Sequence, residues 1–386
     1  MKSHPTRRDN PRVAIIGAGV IGLAIGWRLA RRGARVMIFD RGAAGGGASH
    51  AAAGMLAATM EAEPGEESLV ELGRASHARW APFAAELLDT TGIDVELRTD
   101  GTLIAAVTSD DRAQLMHHLA LQQKLELPVE WLTASEVRRR EPHLATTVAG
   151  AVLCAQDHQV DNRRVVAALL EAVRLSGVTI HEHRAVAEIM IAAGAATGVA
   201  LEDGQQIAAD VVVLAAGAWS RGIGGLSADF RPPVRPVKGQ MLALRMDPAA
   251  PLISHVICAP GVYLVPRRDG RLLVGATVEE RGFDASLTVG AVLTLLEAAW
   301  RVVPSIEELP IHEMWVGHRP GSRDDAPILG AGPIQGLIYA TGHHRNGILL
   351  TPITADLIAG LILDGVADPA IAPFGIERFA LARAAE

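Results

Sequence analysis

An apolar run, Arg12-Val-Ala-Ile-Ile16, leads straight into Gly17-Ala-Gly19-Val20-Ile21-Gly22. Leu23, Ala24, Trp27 and Leu29 then recur at helical spacing up to Gly33, and a second apolar run, Arg35-Val-Met-Ile-Phe39, ends in Asp40. The pattern predicts strand, tight turn, helix and strand, with G-x-G-x-x-G in the turn and an acid closing the second strand. Gly17 permits the turn, Gly19 lets the backbone approach a pyrophosphate, and Gly22 lets the helix lie close to the strands. The first amides of the helix and its dipole favour negative charge at that point. Asp40 is placed to accept hydrogen bonds from ribose hydroxyls and would repel a 2′-phosphate, which leaves NAD and FAD. The same three glycines punctuate the apolar stretch 13–30, so it does not read as a membrane span. Arg7-Arg8 precedes it like an export signal, but the strand–turn–helix reading accounts for the stretch better.

The segment after Asp40 favours FAD over NAD. Arg41-Gly-Ala-Ala-Gly-Gly-Gly47-Ala48-Ser49-His-Ala-Ala-Ala53-Gly54-Met55 is long and built of small residues, which allow a backbone to lie against a flat ring. Two later runs belong to the same fold. Asp210-Val-Val-Val-Leu-Ala-Ala-Gly217 is a buried strand ending in a small-residue turn. Gly336-Leu-Ile-Tyr-Ala-Thr-Gly342 is another, leading through His343-His344-Arg345-Asn346-Gly347 into Ile348. Thr354, Leu357, Ile358, Leu361 and Ile362 keep helical spacing beyond it, so a helix is expected from near Gly347. Its positive end would favour the negative charge that a reduced flavin gathers.

A chain of 386 residues holds two or three domains' worth of sequence and can bury a large core without staples. The net charge of −7 argues against a nucleic-acid partner. Cys154 and Cys258 lie far apart with no CxxC spacing, so neither a disulfide framework nor a zinc site is signalled, and a cytoplasmic location fits. No metal is expected: His181 and His183 alternate along a strand-like stretch without further ligands, and His117-His118 reads as solvated helix surface. Tyr263 and Tyr339 are the only tyrosines, and Tyr339 lies inside an apolar strand where a structural role is expected.

Several separated motifs in fixed order carry a resemblance. They are Ile15-Ile-Gly-Ala-Gly-Val-Ile-Gly22, Ala51-Ala-Ala-Gly-Met-Leu56, Pro236-Val-Lys-Gly239, Tyr263-Leu-Val-Pro-Arg267, Gly275-Ala-Thr277, Gly317-His-Arg-Pro-Gly321 and Gly342-His-His-Arg-Asn-Gly-Ile348. The chain resembles the D-amino-acid-oxidase-type flavoproteins nearly end to end, and within them the glycine oxidase branch linked to thiamine synthesis, with sarcosine oxidases as cousins. The resemblance implies an α/β protein with a Rossmann-type FAD domain and a second, antiparallel-sheet substrate domain. It implies non-covalent FAD, O2 as oxidant, an amine or amino-acid substrate bearing a carboxylate, no membrane, and often a tetramer. In such enzymes a hydride passes from the substrate Cα to flavin N5, and the imine is hydrolysed. Arg319 matches the arginine that grips the substrate carboxylate, Tyr263 a tyrosine that reaches the same group, and Arg345 a residue beside substrate and flavin. The cofactor is expected against Gly17, Gly19, Val20, Ile21, Gly22, Asp40, Arg41, Gly47, Ala48, Ala53, Gly54, Met55, Val186, Gly217, His343, His344, Arg345, Asn346, Gly347 and Ile348.

The chain departs from better-known glycine oxidases at Cys258, Gly261, His318 and His344, where relatives carry other, partly bulkier residues. This departure reads as a pocket widened at its entrance, suited to an N-substituted glycine. Sarcosine or D-amino acid oxidation, a flavin dehydrogenase with another acceptor, and a non-catalytic dinucleotide binder are the competing readings.

The expected FAD domain is discontinuous, comprising 10–90, 147–226 and 327–373; the substrate domain takes 91–146 and 227–326. Strands are expected at 101–106, 240–244, 262–266 and 271–275, and helices at 66–91 and 286–303. Residues 1–9 and the last few read as loose ends.

Overall fold

The computed structural model describes residues 10–61 and 63–379, so both expected loose ends and Arg7-Arg8 lie outside the described residues. Strand β1 (Arg12–Ile16), helix α1 (Val20–Arg31) and strand β2 (Arg35–Phe39) form where the pattern placed them. They enter a six-stranded sheet ordered Ile328–Ala331, Leu337–Thr341, Val211–Leu214, β1, β2, Thr179–His181. All neighbours are parallel except the edge strand Ile328–Ala331. Ile16 sits beside both Leu214 and Phe39. The turns at Gly17, Asp40 and Ala215–Gly217 therefore emerge on one carboxyl edge, where open α/β sheets bind their ligands.

Both faces of this sheet are covered. One carries α1 with the helices Glu67–Thr91, Asn162–Leu175 and Thr351–Asp364, around fully buried Ile15, Leu23, Ile25, Trp27 and Leu350. Each such side chain stabilises the fold by about 1.5–3 kcal/mol relative to exposure. The other carries a meander, Val186–Ala192, Ala195–Leu201 and Gln206–Ala208. Tyr339 is fully buried there and donates to the Phe230 carbonyl (2.6 Å), the structural role expected of it.

A second sheet has eight strands in the order Ile311–Gly321, Arg235–Arg245, Arg271–Gly275, Val262–Pro266, Val256–Ala259, Thr102–Ala106, Gly150–Cys154, Val129–Thr133. It departs from expectation twice. The pair Val256–Ala259 and Thr102–Ala106 is parallel, because distant chain segments meet there without a hairpin. Gly150–Cys154 falls in the range assigned to the FAD domain, yet it pairs on both sides within this second sheet. All five of its residues are buried, so its apolar run would suit either sheet.

The helix expected at 286–303 begins only at Val289, under a Thr288 cap. Asp284 instead takes the Ser286 amide (3.0 Å) and hydroxyl (2.9 Å) into a turn. Among the described residues no helix is long and apolar enough to cross a membrane, and no cluster of acidic, histidine and cysteine side chains is arranged to hold a metal.

Candidate active site

A cavity of about 850 Å³ runs from the glycine-rich turn along the carboxyl edge to the second sheet. That is the upper part of the range for ligand sites, about 300–1,000 Å³. Every residue expected at the site lines it except Gly22. Gly22 packs behind the turn: a Cβ there would stand 2.0 Å from the Gly17 carbonyl oxygen. Gly17 itself has φ +108°, and a Cβ would meet the Ala215 oxygen at 2.3 Å.

The turn is held from outside. Asp40 accepts from the Ala18 amide through Oδ2 (2.7 Å) and from the Gly42 amide through Oδ1 (2.9 Å). Ser49 Oγ accepts from Val20 N–H at 3.0 Å. The first α1 bond is Leu23 N–H to the Gly19 carbonyl, so the Ile21 and Gly22 amides precede the helical ladder, at the pole that favours an anion. These residues fit a dinucleotide: small residues where backbone and diphosphate approach, amides at a helix start, and lone pairs left on Asp40 for a ribose.

The small residues at 47–54 also have a packing reason. A Cβ on Gly317 would come within 2.4 Å of Ala51 Cβ, Trp315 Nε1 donates to the Ala51 carbonyl (3.0 Å), and a Cβ on Gly54 would strike the Val160 oxygen at 2.0 Å. The second sheet thus lies directly on this segment.

At the far end, Arg319 projects from the strand Ile311–Gly321, its backbone paired with Val237. Its guanidinium crosses the neighbouring strand at Gly239, where a Cβ would stand 2.4 Å from Nη1. Nη1 donates to the Thr277 carbonyl at 3.1 Å. The Tyr263 ring lies over Gly275, 2.6 Å from where a Cβ would stand. Burial pushes the Tyr263 phenol above its usual range, and Arg319 against its hydroxyl opposes that rise. Two glycines on adjacent strands thus open the space in which a guanidinium and a phenol meet.

The end of the polypeptide closes the cavity with a tight turn, His344–Asn346; the regular helix Thr351–Asp364 starts later than the position expected near Gly347. Pro352 explains the delay, since proline is tolerated in a first turn and not further in. His343 is buried with Nε2 3.2 Å from Thr354 Oγ1, and burial holds its pKa down to about 3. His344 is likewise held down, to about 4, so both rings are neutral near pH 7. Arg345 lines the cavity, but its guanidinium turns to three carboxylates: Glu61 (2.9 Å), Glu63 (3.4 Å) and Glu66 (4.0 Å).

The widened entrance expected from Cys258 and Gly261 is not what the structure shows. Gly261 is exposed at the tip of a hairpin, and Cys258 is buried behind Met60 (Sγ to Sδ 3.5 Å); neither lines the cavity. Met60 takes the space beside the small residue. His318 and His344 do line the cavity.

Sequence reasoning missed Met60, Glu61 and Trp219, all lining residues. No periodicity marks them; Met60 and Glu61 are positioned by a distant residue. Buried Asp157 accepts from the Thr59 amide (2.9 Å) and the Met60 amide (2.7 Å). Burial raises its pKa from 3.8 to about 7. Between those values the folded chain keeps a proton that the unfolded chain has lost. Its stabilising effect is therefore complete below the unfolded value and disappears as pH rises through about 7. The melting temperature is expected to fall from about pH 4 to about pH 7 and to level off above it. Asp157→Asn gives up one amide bond, worth about 1 kcal/mol, but cannot ionise. Melting curves of the variant across that window should lose most of this slope; an equal slope in both proteins removes Asp157 as its source.

Fold and cavity together define a flavin-dependent oxidoreductase: residues 12–361 match the family described as FAD dependent oxidoreductase, and the chain belongs to it. Its cofactor is FAD. Within the family it is similar to the glycine oxidase of Geobacillus kaustophilus, 40% identical over 95% of this chain and 96% of that protein. The crystal structure of glycine oxidase from that organism superimposes with a TM-score of 0.87 at 39% identity, covering 95% of this chain and 99% of the other. The bifunctional protein ThiO/ThiG of Synechocystis is also 40% identical over 95% of this chain, which spans only 54% of that longer protein.

Proposed function

We propose that this protein oxidises glycine, or a glycine carrying a substituent on nitrogen. Substrate, O2 and water would give glyoxylate, the freed amine or ammonia, and H2O2. When bound, FAD would supply the two-electron acceptor for a hydride leaving the substrate Cα. The protein's residues bind and orient. Arg319 offers a carboxylate two parallel hydrogen bonds and Tyr263 offers a third. Fixing the carboxylate fixes the Cα one bond away, which supports transfer from a single geometry. The amine must shed its proton for the nitrogen lone pair to assist. Arg345, already paired with acids, adds little free positive charge at the nitrogen. In this reading FAD is held without a covalent bond through cysteine, since Cys154 and Cys258 are buried thiols away from the cavity lining.

The observation that carries the proposal is the meeting of Arg319 and Tyr263 on one wall of a cavity whose other end is a dinucleotide turn. The test is a panel of glycine, sarcosine, N-ethylglycine and D-alanine. Glycine or the N-alkyl glycines are expected to bleach the flavin without air and to give stoichiometric peroxide with it. Bleaching without peroxide would point to a dehydrogenase, and a marked preference for D-alanine to a D-amino acid oxidase.

A further inference from the structure

Three acids line the cavity, Asp40, Glu61 and Glu202, and of these Glu61 forms an ion pair with a lining arginine, Arg345, at the second-sheet end. Glu61 lines it together with Tyr263, Arg319 and Arg345. Its side chain is 19% accessible, and its field reaches both Arg319 and the Tyr263 hydroxyl. Oε2 is buried 2.9 Å from Arg345 Nε, but no directed hydrogen bond reaches it among the described residues. The pairing is close and poorly aligned. A carboxylate has about four lone-pair positions, so Glu61 keeps acceptor capacity that Arg345 does not use.

The charges divide the site. Arg319 donates through Nη1 to the Thr277 carbonyl and keeps other N–H groups that can take a ligand carboxylate. Arg345 is surrounded by Glu61, Glu63 and Glu66, and is a poor second carboxylate site. Glu61, lining the same cavity as Arg319, brings an acceptor to it. The segment carrying it is fixed, because Asp157 holds the amides of Thr59 and Met60 just before it.

We infer that Glu61 is a substrate-positioning and specificity-determining residue: it accepts a hydrogen bond from the substrate amine and excludes N-substituents that carry a negative charge. This rests on the amino-acid oxidase reading and adds to it the sign of the group tolerated on nitrogen. A neutral N-alkyl group leaves one N–H for Glu61. A carboxymethyl group brings a second carboxylate toward a buried acid whose nearby arginine is already engaged.

Two pairs of ligands test this on the FAD-loaded enzyme. The first is N-ethylglycine against iminodiacetate, similar in size and different in charge. The wild type is expected to favour N-ethylglycine in kcat/KM by about tenfold or more, and Glu61→Gln to erase most of that preference. The second is glycine against acetate, read as binding from the perturbed flavin spectrum without oxygen. Acetate has the carboxylate and no amine. Glu61→Gln should weaken glycine by about tenfold or more and leave acetate unchanged. Equal weakening of both ligands would mean that Glu61 acts only through Arg319, and overturns the inference. So does a wild type that handles iminodiacetate as well as N-ethylglycine, a comparison that needs no variant. A wild type that oxidises none of the amines is a different failure, that of the underlying reading of function.

Discussion

Arg319→Ala is expected to raise KM for glycine by at least about a hundredfold while the protein keeps its flavin. Two charge-assisted hydrogen bonds of about 1.5–3 kcal/mol each are lost from the carboxylate. The cofactor should stay because Arg319 lies on the second sheet, away from the glycine-rich turn. Steady-state kinetics beside the visible spectrum of the purified variant separate the two effects; an unaltered KM removes Arg319 from the substrate. Gly239→Ala is a companion test. It leaves every charge in place but puts a methyl 2.4 Å from Nη1, so the guanidinium must move, and KM should rise in the same direction.

The opposite pattern is expected of Gly22→Val, whose position lies behind the cavity wall and does not itself line it. The first added carbon would already stand 2.0 Å from the Gly17 oxygen and 3.1 Å from its carbonyl carbon. These are backbone atoms and cannot swing aside, so the turn or α1 has to shift. Overpacking of this kind costs about 1–3 kcal/mol, and here it is directed at the atoms that would meet the diphosphate. The variant should purify pale or colourless, with a flavin-to-protein ratio far below one and a lowered melting temperature. A fully flavinated Gly22→Val protein would mean that this turn is not the cofactor cradle.

The two glycine positions show what was legible in the sequence. The local unit from β1 to Asp40 could be read because its signals are short-range: an apolar run, fixed glycine spacing, then helical periodicity. The strand at 211–214 was equally plain, being four consecutive fully apolar residues ending at small ones. The roles proposed for Arg319 and Tyr263 rest on motif resemblance, since nothing in their own neighbourhoods distinguishes a ligand-binding arginine from a surface one. Gly239 and Gly275 sat inside recognised motifs, but their purpose appears only when adjacent strands are in register and a side chain crosses each. Glu61 and Asp157 were not legible at all. They are nearly a hundred positions apart in the chain, and their link is one carboxylate taking two amides. The misplaced strand Gly150–Cys154 has the same origin: burial marks a strand, whereas its partners are set by long-range topology. Cys258 opens no space at the entrance because Met60, distant in the chain, packs against it.

The walls of the cavity are gathered from residues 16–61, 185–241, 263–320 and 340–348, and the last of these segments completes the enclosure. During translation, a ribosome must therefore advance past Ile348 before the nucleotide pocket can shut. Whatever then binds there stabilises only completed molecules, in proportion to its free concentration. A shortage of FAD would therefore leave newly made copies with a lower melting temperature than loaded ones.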